Sequence, residues 1–506
     1  MMIRNRRPTR DEKGPKMTDL FAAVDLGATS GRVIAGRLRK GRFHLREVDR
    51  FTTPTMTLDG HAHWDAHALF AHILAGLGRA SALGRLRGVG VDTWGVDYAR
   101  LTPLGAQVEP PFHYRDPRTS GAPASFFADF PAERLYAEAG LQVMDFNTIF
   151  QLVSQADDPS WPDVASCLFL PDLFTYLLSG AQVTELTIAS TSGLLDVARR
   201  AWSPTILSHL RDRYGLDPSR LFPAIVEPGT VVGAVHPELL DGQIPVVAVG
   251  AHDTASAVAA VPASTPRFAY ISSGTWSLVG VELDHPILTE ESRQADFTNE
   301  LGVDSTVRYL RNVMGLWVLT QSLAHWHTHG FDVDLPSLLD GARRLPALTT
   351  VVDMEDQRLL PPGDMPSRLA EMARETGQHV PETPAEFTRC ILDSLALDYR
   401  RVIRLAQELS GVEVDTIHIV GGGCQNELLN QLTAEATGLP VIAGPAEATA
   451  LGNLAVQARA VGAVTGDLWD VRAVCRASSE VRTYTPGALG LSSLRWDEAE
   501  RRAFRR

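Results

Sequence analysis

The chain has 506 residues, long enough for two or three domains of ~100–200 residues each. Its 44% hydrophobic and 21% charged residues imply a large buried core. With 47 basic against 60 acidic residues the net charge is −13, which argues against a nucleic-acid surface, and the best candidate for a membrane span, Leu168 to Leu178, is interrupted by Asp172 and falls short of the ~20 apolar residues required.

Residues 1–16 are basic, polar and broken by proline, with no apolar stretch of the secretory kind, so a disordered arm is expected over 1–19. Met17 offers an alternative start. Phe21-Ala-Ala-Val-Asp25 then reads as a strand, Leu26-Gly-Ala-Thr-Ser-Gly31 as a turn, and Arg32 to Leu38 as a returning strand. Lys40-Gly41 suits a hairpin turn into an alternating strand, Phe43 to Val48. A helix is expected over Ala66 to Leu77, followed by a buried strand, Gly88 to Asp92, that runs into Thr93-Trp-Gly-Val-Asp97.

The second half repeats this order. Phe268 to Ile271 is strand-like, Ser272-Ser-Gly-Thr275 is a polar turn, and Ser277 to Leu283 returns as a strand. Thr416 to Val420 alternates and ends in Gly421-Gly-Gly423, after which a helix runs to Ala436 and stops at Gly438 and Pro440. Val261 to Pro266 reads as the connector between halves, and Trp496 to Arg506 as a solvated charged helix.

A strand–turn–strand device heading each half can bring two sets of backbone N–H groups to one cleft, because small turn residues let the chain approach an anion closely. Neither GxGxxG nor GxxxxGK[ST] occurs at a strand-to-helix turn, so dinucleotide-binding and P-loop enzymes are demoted. For phosphoryl transfer, Asp25 at the end of the first strand is placed to hold Mg²⁺ directly or through water; it could equally cap its own turn. His252-Asp253-Thr254, delivered by the apolar strand from Ile244, offers a general base in Asp253 or simply a helix cap, with His252 a structural histidine. Trp94 and its neighbouring carboxylates suit a polyol pocket or a core aromatic, and Tyr114 to Thr119 and Phe146 to Gln151 are further candidates for its wall. Cys167, Cys390, Cys424 and Cys475 show no metal or disulfide spacing, which points to reduced thiols in the cytoplasm.

Eight segments, taken in order, resemble the FGGY carbohydrate kinases, and among them the rhamnulokinases. They are Val24 to Val33, Val91 to Asp97, Phe146 to Leu152, His252 to Val258, Ser272 to Ser277, Asn312 to Trp317, Gly421 to Asn426 and Ala443 to Asn453. The resemblance implies an α/β fold of two ribonuclease-H-like (actin/hexokinase-type ATPase) domains with an interdomain cleft. These would be a sugar-side domain over 20–262 and a nucleotide-side domain over 263–490, with 491–506 as a tail. It implies Asp253 as proton acceptor, Gly95, His252, Thr254 and Asn312 with Trp94 at the sugar, and Ala28, Thr29, Ser30, Gly31, Arg32, Thr275 and Gly422 at ATP. The family pattern has a Gln eight residues after the Asn; here Thr320 stands there and Gln321 follows, ~100° away around a helix, which puts the ATP role of both in doubt. The activity so implied is ATP-dependent phosphorylation of L-rhamnulose to its 1-phosphate, with Mg²⁺. A sister kinase for fuculose or xylulose is the first alternative, and a non-catalytic actin-like nucleotide-binding module the second. A single sequence does not speak to the oligomeric state.

Overall fold

The computed structural model of the chain describes residues 19–504. The arm expected to be disordered lies outside the described residues except for Asp19, which already opens a strand. Strand β1 (Asp19–Leu26) is buried almost throughout and pairs antiparallel with β2 (Ser30–Arg39), which pairs with β3 (Arg42–Thr52). Lys40 and Gly41 both take positive φ (51° and 73°), the backbone that matches a two-residue turn to the twist of its strands. Helix α1 (Ala66–Ser81) starts at Asp65, whose carboxylate accepts the Ala68 N–H. It leads to β4 (Leu86–Thr93), parallel to β1, so that Asp25 and Asp92 end side by side. Strands β5 (Thr230–Ala234) and β6 (Pro245–Ala248) complete a six-stranded sheet, β5-β6-β4-β1-β2-β3, and the short helix α2 (Asp253–Ala259) follows.

The second half builds the same plan. Strands β7 (Phe268–Ser273) and β8 (Trp276–Leu283) form the head hairpin, and β9 (Thr298–Leu301) and β10 (Val307–Met314) extend it antiparallel. After α3 (Trp317–Thr328) comes the long α4 (Pro384–Ser410), begun by a Thr383–Glu386 capping box and stopped at Gly411 in the left-handed region. Strand β11 (Thr416–Val420) runs parallel to β7, then α5 (Glu427–Thr437), β12 (Val441–Ala443), α6 (Ala448–Ala460) and β13 (Arg482–Tyr484) follow. The seven strands lie in the order β9-β10-β8-β7-β11-β12-β13. β1 and β7 therefore hold equivalent places, each antiparallel to the next strand and parallel to a later one.

The halves are locked by α2 and α6. Leu451, Leu454 and Ala455 of α6 share one buried cluster with Phe21 and Ala23 of β1, Val258 of α2 and Tyr270 of β7. Polar side chains of α6 reach the first sheet: Gln457 donates to the Ala22 carbonyl at 2.9 Å and Asn453 to that of Gly90 at 3.2 Å. This explains the glycines of the Gly88-Val-Gly90 strand. A Cβ at Gly88 would stand 2.9 Å from Gln457 Oε1, and one at Gly90 2.8 Å from Asn453 Oδ1.

The charged C-terminal segment departs from expectation. It is helical over Ser493–Ala503 but not solvated all round: Trp496, Ala499 and Ala503 are buried in the core of the second half. Its outward side is paired, Asp497 with Arg400 and Glu500 with Arg400 and Arg404. All four cysteines are buried without a disulfide, and no helix among the described residues is long and apolar enough to cross a membrane.

Candidate active site

The two head turns and the third glycine-rich turn open onto one cavity of about 720 Å³ between the halves. From the first hairpin, Asp25, Ala28, Thr29, Ser30 and Arg32 line it. The turn is tight: Gly27 N–H donates to the Ser30 carbonyl at 3.0 Å, and the Thr53 hydroxyl holds the Gly27 carbonyl at 2.6 Å. Facing it are Ser273, Gly274 and Thr275 of the second hairpin, which also carries the start of α3 through Leu316 N–H to Gly274 and Trp317 N–H to Thr275. Gly421 and Gly422 close that side. The glycines of this third turn differ in their reasons. A Cβ on Gly423 would fall 2.0 Å from Ser273 Oγ, whereas Gly422 has open space before it.

Toward the first half the cavity is walled by Trp94, Gly95 and Val96, with Tyr114, Phe146 and Asn147 beside them. Trp94 serves both readings offered for it: its ring packs against Trp64 at 4.2 Å and a 41° tilt, its indole N–H donates to Asp97 at 2.9 Å, and it still meets the cavity. Val96 holds a positive φ of 71°, a strained backbone for a β-branched residue. The Thr148 hydroxyl clamps its carbonyl at 2.7 Å and Thr191 Oγ1 accepts its N–H at 3.3 Å.

His252, Asp253 and Thr254 line the cavity as well. The helix cap is His252, not Asp253, which is the first helical residue and accepts the Thr254 N–H at 2.6 Å. Their strand end is held from two sides. Thr93 N–H donates to the Ala251 carbonyl at 2.9 Å, and Glu185, pushed up to about 7 by burial, accepts the Ala251 N–H at 3.2 Å. Burial also raises the Asp253 carboxyl above the ordinary range; nearby His252 pulls it down, Asp25 pushes it up, and the Thr254 N–H pulls it down again.

Three carboxylates thus face one another. Asp92 is fully buried and pushed well up by burial and by Asp25, against the bond from Asn453 Nδ2 at 2.5 Å. Its Oδ1 has no hydrogen-bond partner. Arg32 bridges Asp25 (2.6 Å) and Glu447 at the start of α6, so one guanidinium ties both halves. An orphaned carboxylate oxygen beside Asp25 fits a divalent ion of the Mg²⁺ kind, which takes one or two carboxylates and keeps water. No cluster of three or more His, Cys, Asp or Glu ligands occurs among the described residues.

Residues 20–260 match the N-terminal domain of the FGGY family of carbohydrate kinases, and residues 269–461 match its C-terminal domain. This chain belongs to that family. Among the relatives of this FGGY kinase, a rhamnulokinase of Bacteroides thetaiotaomicron is 41% identical over 490 residues, covering 96% of this chain and 98% of the relative. A rhamnulokinase of Pectobacterium atrosepticum is 42% identical over 476 residues, covering 92% and 93%. The fold is that of a xylulose kinase from Rhodospirillum rubrum (TM-score 0.77, 19% identity, 95% and 97% covered). It is also that of Plasmodium falciparum glycerol kinase with ADP (TM-score 0.78, 12% identity, 96% and 98% covered). The expected two-domain α/β architecture is the one this carbohydrate kinase has.

Three expected nucleotide residues do not line the cleft of this FGGY kinase. Thr320 is exposed on α3, its hydroxyl bonded back to the Leu316 carbonyl at 3.0 Å. Gln321 Oε1 accepts the Gly363 N–H at 3.3 Å. Gly31 packs under Phe51, where a Cβ would sit 2.4 Å from Cε2 and 2.5 Å from Cζ. Gly31→Ala is therefore expected to destabilise the fold by ~1–3 kcal/mol through overpacking, with ATP KM changed less than about threefold. A raised KM at an unchanged melting temperature would return Gly31 to the nucleotide.

Some cavity residues lie outside the eight family-like segments, among them Arg115 of the Tyr114 to Thr119 stretch expected at the wall. Arg115 lies over Trp317 at 4.9 Å and Trp276 at 5.9 Å, spanning the halves. Gln142 Oε1 accepts from Asn312 Nδ2 at 3.0 Å, so Asn312 meets the first half as well as the cavity. Glu300 and Thr298 of β9 also reach the cavity.

Proposed function

We propose that this kinase transfers the γ-phosphoryl group of ATP to O1 of L-rhamnulose, giving L-rhamnulose 1-phosphate and ADP, in the cytoplasm. The observation that carries the reading is Asp253 in one cavity with two paired turns, in a chain about 41% identical to rhamnulokinases along nearly its whole length. In this reading 20–262 is the sugar-side domain and 263–490 the nucleotide-side domain. The triphosphate lies between the Ala28–Arg32 and Ser273–Thr275 turns, with Gly422 alongside. Asp25, with Asp92 behind it, would hold Mg²⁺, which supplies charge neutralisation at the phosphates.

The ketose lies deeper, against Trp94, Gly95, His252, Thr254 and Asn312. As O1 attacks the γ-phosphorus in line and the bond to the β-phosphate oxygen breaks, Asp253 takes the O1 proton. The walls exclude water, the competing acceptor. The test is ATP consumption across L-rhamnulose, L-fuculose and xylulose. L-rhamnulose is expected to give the highest kcat/KM, by ~10–200-fold if one methyl or hydroxyl contact decides it. A faster xylulose or fuculose would replace the substrate and keep the kinase. ATP turnover indifferent to every sugar would favour the non-catalytic alternative.

A further inference from the structure

Behind the proposed base stands a buried chain of charged groups contributed by both halves. His252 Nε2 lies 3.4 Å from Asp253 Oδ1, and His252 Nδ1 lies 3.1 Å from Glu300 Oε2. Glu300 is directly opposite Arg308 on β9 and β10, and Arg308 Nη1 meets its Oε2 at 2.9 Å. Arg308 is wholly buried and gives Nε and Nη2 to the Leu301 carbonyl at 3.1 and 3.0 Å. Its Nη1 also comes within 3.2 Å of His252 Nδ1.

Hydrogen-bond chemistry decides among these contacts. Arg308 has only donors, so in its contact with His252 it is Nδ1 that accepts, while Glu300 opposes the guanidinium as its ion-pair partner. The arrangement that fits both contacts leaves Nδ1 bare toward Arg308 Nη1 and puts the ring proton on Nε2, pointing at Asp253. The hydrogen bond at one ring nitrogen decides which nitrogen carries the proton, and Glu300 holds the guanidinium that makes it.

The position of Glu300 is itself fixed from the first half. Its neighbour Leu301 donates N–H to Ser190 Oγ at 2.9 Å, and Asn299 donates N–H to the Gly140 carbonyl at 2.8 Å. Strand β9, which belongs to the second sheet, is thus pinned on both sides of Glu300 to the half that carries His252 and Asp253.

We propose that Glu300 is a positioning residue for phosphoryl transfer: it holds Arg308 against His252 Nδ1 and so keeps the Nε2–H of His252 aimed at Asp253. This rests on Asp253 being the base. The second half, which faces the nucleotide in the proposed reaction, thereby also sets the geometry of the acceptor side.

Steady-state kinetics of Glu300→Gln test it. The variant is expected to lose kcat by about tenfold to a hundredfold, less than loss of the base at ~10²–10⁴-fold, with both KM values within about threefold. In a His252→Asn background, which lacks the nitrogen facing Asp253, Glu300→Gln should add less than about twofold. An equal loss in both backgrounds would overturn the proposal, as would a raised sugar KM at unchanged kcat, which marks a direct sugar contact. Should Glu300→Gln melt early, Glu300→Asp keeps the charge beside Arg308 and withdraws the carboxylate by one methylene. It is expected to lose kcat about tenfold, and wild-type kcat there would also overturn the proposal. Asp253→Asn separates the two readings. High turnover in that variant removes the base, whereas an inactive Asp253→Asn with no Glu300–His252 coupling removes only the positioning role.

Discussion

Asp253→Asn is expected to lower kcat by ~10²–10⁴-fold while ATP affinity stays within about twofold. The substitution is nearly isosteric and keeps an oxygen for the Thr254 N–H, so the start of α2 should hold its shape. What disappears is the acceptor for the O1 proton. About a third of the Asp253 side chain is exposed to the cavity, enough for a hydroxyl to reach it, while its surroundings remain dry enough to raise its affinity for a proton. The pH dependence follows in sign. A base must be ionised to accept, so activity falls as the medium becomes acidic. Because burial raises this carboxyl, that fall should be centred above the ~3.9 of a free aspartate. Near wild-type turnover in Asp253→Asn, or an acid limb at or below the free value, would assign the base elsewhere.

What can be read from the residues, and what cannot, divides along physical lines. The head hairpins are legible because their signals are local: an apolar run, a turn of small residues, an apolar return. The Thr416–Val420 strand and its glycine turn are legible for the same reason. Glu300 and Arg308 are not, since Thr-Asn-Glu-Leu reads as any strand and its meaning arises only when β9 meets a histidine 48 positions earlier in the chain. Gly31 shows a different failure. A glycine in a phosphate-type turn has two possible reasons, close approach of an anion or of a side chain, and only the packed Phe51 ring tells them apart. Thr320 and Gln321 diverge as adjacent helix positions must, and neither side chain lines the cleft. For the C-terminal helix a signal is present and outweighed: Trp496, Ala499 and Ala503 recur at helical spacing on one face, but the surrounding arginines and acids dominate its composition.

Gly452→Ala should disturb both stability and turnover, and Gly78→Ala should not, although both glycines lie inside helices where alanine is intrinsically better by ~1 kcal/mol. Gly78 on α1 has nothing within 4 Å of where a Cβ would stand, so its replacement is expected to raise the melting temperature slightly. Gly452 is the point where α6 crosses α2. A Cβ there would stand 1.9 Å from the Ser256 carbonyl oxygen and 2.8 Å from its carbon, both backbone atoms that cannot rotate away. The two helices must separate by about an ångström or more, and the overpacking cost of ~1–3 kcal/mol exceeds or cancels the propensity gain. The catalytic consequence is larger. α2 begins at Asp253, and α6 begins beside Glu447, the partner of Arg32. Parting them moves the base relative to the phosphate turns, and a misplacement of ~1 Å can cost about 10²-fold in rate. The expected result for Gly452→Ala is therefore kcat down about tenfold to a hundredfold with a lower melting temperature. Full activity in Gly452→Ala would mean that the α2–α6 contact does not set the geometry of the cleft.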